Sequence, residues 1–172
     1  MPLNLPPGTG QSVVPAVTPT WIFTPNTSAI NTVRVVNIGQ YPVYVGGLGC
    51  GQASGFPVPP GSRPLELQNV TATLYAASYV SVGSSVSTLN AGYTAGTSTV
   101  VTSSSVTTAA GSVLVVGNTA NTGWESVVVG TVSTSGTTIG TSSPLLMDHE
   151  SGQVVYSATA QIGQIRVSAG VV

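Results

Sequence analysis

Short runs of β-branched residues, each cut by glycine or proline before it can lengthen, leave this chain few ways to fold. Val33 and Val35 alternate with polar neighbours in Thr32–Asn37. Comparable runs recur at intervals of roughly 8–12 residues, the spacing of strands in sandwiches and barrels. Valine is about one residue in six, and Ser with Thr about a quarter of the 172 residues. These residues suit a pleated, half-buried surface. No window carries a sustained apolar stripe of helical period, and strong helix formers are scarce, with no Lys and three Glu. The 21 glycines and 12 prolines punctuate the chain throughout. The expected fold class is all-β. The apolar runs, such as Val127–Val129, fall far short of the roughly 18–20 residues that cross a bilayer as a helix, so no membrane partner is expected.

Residues 1–20 contain Pro2, Pro6, Pro7, Pro15 and Pro19. Five missing N–H donors favour an extended, polyproline-like path and disfavour a central strand. Leu3, Leu5, Val13, Val14 and Val17 are too many apolar residues for a solvated linker. Two readings stay open: an extended Pro-rich arm lying on a neighbouring subunit, which makes these five candidate interface residues, or a frayed terminus. Residues 21–92 read as a small β-sandwich, with strands at 21–23, 32–37, 41–45, 65–67 and 72–78 and a flexible glycine-rich loop at 46–51. Residues 91–98 form a small-residue bridge. Residues 93–158 read as a second, barrel-like module, with strands at 99–103, 112–117, 125–132, 137–140 and 152–157. Five strands in about 60 residues build a thin core that gains from packing against something else.

Charge narrows the function classes. Charged residues are 4% of the chain, against about a quarter of an average domain. The cations are Arg34, Arg63 and Arg166, and the acids Glu66, Glu125, Asp148 and Glu150. No basic field exists to hold phosphates, so a nucleic-acid partner is not expected. A surface this poor in charge is either solvated by hydroxyls and amides or covered in an assembly. Arginine is enriched at protein interfaces, which makes the three arginines candidate interface residues, paired with Glu66 or with a partner's carboxylate. Cys50 stands alone and cannot form an internal disulfide, which fits a reducing cytoplasm. The first ten residues have neither a basic nor an apolar signal region, so no secretory leader is expected.

Candidate chemistry is sparse. Asp148-His149-Glu150 is the one cluster of ionisable groups. Neighbours on an extended strand point to opposite faces, and no second His or Asp exists to complete a metal set or a triad. A turn ending in Ser151-Gly152, with polar side chains serving local backbone groups, accounts for it better. The serines lack a nucleophile elbow. Gly46–Gly51 lacks the Lys-Ser/Thr and following helix of a phosphate loop. Cys50 has no cation or base nearby in sequence to activate it. Trp21, Trp124, Tyr41, Tyr44, Tyr75, Tyr79, Tyr93 and Tyr156 could stack on sugars if exposed, but most stand beside Val or Ala in strand segments, as core or interface residues do. No catalytic, cofactor-binding or metal-binding residue is expected, and no cofactor.

Two stretches resemble modules of tailed-bacteriophage virion structural proteins. VRVVNIGQYPVYVGG (33–47), with PPGSRPLEL (59–67) and ATLYAAS (72–78), resembles the small β-sandwich of head-fibre and capsid-associated proteins. AAGSVLVVG (109–117), WESVVVGTVSTSGTTI (124–139) and SPLLMDHESGQVVY (143–156) are similar to a second virion module, on whose pattern Glu125, His149 and Gly152 fall as structural positions. In the first module a V-x-V-x-x-G strand follows soon after LYA. Here such a strand, Ile165–Val172, comes only at the end of the sequence. The resemblance therefore implies that the second module is inserted into the first, with 159–172 completing the first sheet. It further implies a non-enzymatic capsid decoration protein, assembled in the host cytoplasm. Such a protein binds the major capsid protein on the outer virion surface, as a homotrimer. The alternative of another class is a carbohydrate- or receptor-binding module of a fibre or cell surface, which predicts clustered exposed Tyr and Trp.

Overall fold

The computed structural model describes residues 10–25, 31–117 and 123–171. Among them there is no helix, and the strands in chain order are β1 (Gly10–Val13), β2 (Thr20–Phe23), β3 (Asn31–Asn37), β4 (Val43–Gly46), β5 (Phe56–Val58), β6 (Leu65–Leu67), β7 (Leu74–Thr88), β8 (Thr99–Val101), β9 (Val113–Gly117), β10 (Trp124–Val132), β11 (Thr138–Thr141), β12 (Val154–Gln161) and β13 (Ile165–Val171). The chain is all-β, as its composition requires. It divides into two compact units, Met1–Tyr79 with Gln161–Val172, and Val80–Ala160.

The first unit is a sandwich. One sheet has the order β1–β13–β3–β6, all antiparallel. Facing it, β5, β4 and β2 assemble around the first part of β7. Period-two alternation sets the faces: Val33, Val35, Ile165 and Val167 point inward and meet Ile22, Phe23, Val43, Val45, Val58 and Ala76. Each valine buried in this way stabilises by about 1.5 kcal/mol or more. Two buried polar side chains tie the layers. Asn37 Nδ2 donates to Tyr41 O at 2.8 Å and Val58 O at 2.7 Å, while its Oδ1 accepts from Gly39 N at 2.9 Å. Ser78 Oγ donates to Pro15 O at 2.5 Å and accepts from Gly163 N at 3.1 Å. Gly163 admits no side chain, since a Cβ there would collide with Val43.

Two expectations change here. Residues 10–17 belong to the sandwich and are not a frayed end. β1 pairs with β13, and Val17 is buried. An edge position accommodates the flanking prolines, because an edge strand uses donors on one side only. β5 also lies at a sheet edge, where its Pro57 is tolerated for the same reason. The module boundary lies at Tyr79/Val80, ahead of the expected 92/93, because β7 continues through the hydroxyl-rich YVSVGSSVST instead of ending with LYAAS.

The second unit is a ring of strands. Its ladder runs from β7 through β12, β9, β10 and β11 to β8. An antiparallel bridge between Leu89 and Thr102 returns β8 to the end of β7, with Ser103 N donating to Thr88 O at 2.8 Å and Asn90 N to Val101 O at 3.0 Å. Closure removes the sheet edges and makes the unit barrel-like. The interior holds Leu89, Val100, Leu114, Val116, Val127, Val129, Ile139, Leu145 and Val155. The register of β10 and β11 shifts between Val129 and Thr131, an irregularity at Gly130 that curls the sheet.

Candidate functional site

Period two places Glu125 on the same face of β10 as Val127 and Val129, whose side chains fill the barrel interior. A carboxylate aimed there is costly unless it is paired and fully hydrogen-bonded. Its partners come from the segment joining β11 to β12. Leu146 N donates to the carboxylate at 2.9 and 3.1 Å, and Met147 N at 3.1 Å. His149 Nε2 lies 2.9 Å from Glu125 Oε1, and His149 Nδ1 lies 2.7 Å from Gln153 Oε1. His149 is held from behind by a two-way backbone bridge, its N–H donating to Tyr93 O at 2.7 Å and its carbonyl accepting from Tyr93 N at 2.8 Å.

Burial alone would push the His149 pKa down. Hydrogen bonds to Glu125 and Gln153, and the charges of Glu125 and Asp148, outweigh it and leave the pKa raised. With an oxygen at each ring nitrogen, the imidazolium is the form that satisfies both contacts by donating. The side chains of His149 and Glu125 are 0% and 7% exposed, so neither presents a face to a substrate. The arrangement is chemically a clamp: it fastens residues 146–153 to β10 and to the 90–97 segment. The neighbours diverge, as expected of 148–150. Asp148 Oδ1 accepts from Ala95 N at 2.7 Å, and Glu150 is exposed. Among the described residues no group of three or more His, Cys, Asp and Glu side chains has metal-site geometry.

The expected interface residues scatter. Leu3 and Leu5 lie outside the described residues. Val13 packs against the sandwich core and Val17 is buried, whereas Val14 is exposed. Arg34 lies 3.7 Å from Glu66 across β3 and β6, and both are more than half exposed. Arg63 lines a shallow groove with Phe56, Pro57, Pro59 and Glu66. Arg166 is exposed on β13. The aromatics do not form one platform: Tyr41 and Phe56 are exposed, and Trp124 is buried.

Cys50 is buried, its thiol donating to Tyr44 O at 3.8 Å. Burial pushes its pKa up to about 12, which lowers the thiolate fraction roughly a thousandfold relative to an ordinary thiol. Native protein is therefore expected to react with a disulfide reagent at pH 8 only on the timescale of unfolding, and at once in denaturant. Fast stoichiometric labelling of the native state would show the thiol to be open.

Fold and site together define an all-β protein of two units whose His149–Glu125 cluster is spent on internal structure. Compared with known proteins, the chain matches no family model, no curated protein and no solved structure.

Proposed function

We propose that the chain is a tailed-bacteriophage virion protein that decorates the outer capsid surface and stabilises the shell, acting by binding and not by catalysis. One observation carries the reading. The strands within the segments that resemble the first virion module, 33–47, 59–67 and 72–78, fall together in one sandwich, and β13 returns to complete it. The strands within the segments that resemble the second module, 109–117, 124–139 and 143–156, fall together in one ring. Non-enzymatic action is supported by the clamp, which turns the chain's single histidine inward. In this reading homotrimers bind the major capsid protein at joints between capsomers. Each bound copy adds buried area that separate capsomers lack, so the shell resists outward pressure by mass action.

The test is binding to capsids that lack a decoration protein. Saturable co-sedimentation at a fixed ratio per capsomer is expected, together with a higher disruption temperature of the loaded shell. Absence of any co-sedimentation with capsids from the cognate phage would overturn the reading.

A further inference from the structure

The charges of this chain are few enough to be followed one by one. All three cations, Arg34, Arg63 and Arg166, belong to the first unit, with one acid, Glu66. The second unit has no Lys or Arg and three acids, Glu125, Asp148 and Glu150. Of the four carboxylate side chains, Glu66 sits beside Arg34 and Glu125 is buried against His149. Asp148 and Glu150 remain, both exposed, one on either side of His149. The clamp that anchors His149 therefore holds these two acids on a fixed loop, with little ordering left to pay on binding.

The cations have a defined setting too. Antiparallel register puts Ser12, Arg166 and Val36 in one row across the β1–β13–β3–β6 sheet, and Ser168, Arg34 and Glu66 in the next. Both rows lie on the face turned away from the core residues Val35 and Val167. Arg34 and Arg166 are thus diagonal cross-strand neighbours, roughly 7–8 Å apart at Cα. Among the described residues Arg166 has no acid within ion-pair distance.

We infer that this face docks a second copy of the chain, and that the neighbour's Asp148–Glu150 loop is what it receives. The occupant follows from charge complementarity: in a second copy Glu66 sits beside Arg34 and Glu125 beside His149, which leaves the exposed Glu150, with Asp148 close by and held through Oδ1 by Ala95 N, as the carboxylates to offer. The contact joins different surfaces of the two copies, so repetition builds a ring where the rotation closes and a filament where it does not. A contact between one loop and one four-stranded face is smaller than a standard stable interface, which buries about 800 Å² per partner. A contact of that size is weak alone, strengthened by ring closure and weakened by salt. The inference rests on the assembly reading above only for its biological use; the contact itself does not require a capsid.

The experiment is sedimentation velocity on the full chain at low and high ionic strength, with Arg166→Glu, Glu150→Arg and the two combined. Wild-type protein is expected to self-associate reversibly at low salt and to dissociate at high salt. Each single reversal is expected to weaken association by about tenfold or more. The combined variant restores it, because the swapped charges again attract. Far-UV dichroism and tryptophan emission unchanged in all three variants separate lost contact from lost folding. A wild-type monomer at all concentrations, single reversals that leave association unchanged, or a combined variant that fails to recover would each overturn the inference. Capsid binding by a protein that stays monomeric sinks this contact and leaves the decoration reading standing. Salt-sensitive association through this face without capsid affinity does the reverse.

Discussion

Replacing Glu125 by Leu is expected to destabilise the second unit by about 3–5 kcal/mol, the usual cost of removing one partner of a buried ion pair. The leucine fits the apolar face of β10, but it strands the N–H groups of Leu146 and Met147 and one nitrogen of His149, all of which now end on the carboxylate. The two tryptophans make the measurement selective. Trp21 belongs to the first unit and Trp124, the residue before Glu125, to the second. In a Trp21→Phe background, denaturant unfolding followed by emission reports the second unit. A shift of less than about 1 kcal/mol, the range of ordinary surface substitutions, would show that the clamp contributes little.

The same pair predicts a pH dependence with a definite sign. The folded-state pKa of His149 is raised, so its contribution is fully present below the unfolded value, roughly 6.5, and is lost as pH rises through the folded value. Wild-type stability of the second unit should therefore decline on the alkaline side. Glu125→Gln keeps an acceptor oxygen but removes the charge. Burial, the largest influence on His149, then meets less opposition, and the alkaline decline should shrink or disappear. An identical pH profile in wild type and Glu125→Gln would separate the pair from the titration.

Much of the fold is legible where local pattern and long-range pairing agree. The alternation in Thr32–Asn37 gives β3 its inward face directly, and the Ile165-x-Val167-x-x-Gly170 run near the end of the sequence needs a sheet to join. Legibility fails where local composition points away from a strand that tertiary pairing stabilises. The second half of β7, SVGSSVST, carries no local strand signal, yet Ser and Thr are adequate strand residues once β12 supplies the partners. β1 and β5 are concealed by neighbouring prolines whose missing donors do not matter at a sheet edge. The clamp is hidden differently. Asp148 and Glu150 look like the companions of His149 but point away from it, while the true partner stands 24 residues earlier in the chain. Its one sequence signature is a carboxylate in register with Val127 and Val129, a position at which a strand of this pattern expects an apolar side chain.

Removing residues 162–172 is expected to unfold the first unit and spare the second. β13 is the second strand of a four-stranded sheet, flanked by β1 over four paired positions and by β3 over seven. Its loss withdraws the buried side chains of Ile165 and Val167, about 3–6 kcal/mol of transfer free energy together. It also separates β1 from β3, and the sandwich core opens to water. Gly163 N no longer donates to Ser78 Oγ, which loosens the residue that also holds Pro15. A typical domain has only about 5–15 kcal/mol of net stability to set against this. The second unit keeps its whole ring, because its ladder and core lie within Val80–Ala160. The truncated chain should show Trp21 in a solvent-exposed environment, rapid proteolysis within residues 10–79, and a Trp124 unfolding transition close to that of the full chain. A synthetic peptide of residues 161–172, added in excess, should restore Trp21 burial by taking the vacant place between β1 and β3. Protection of residues 10–79 in the truncated chain without the peptide would show that the remaining strands close the sandwich by themselves, and that β13 is dispensable to the core it now fills.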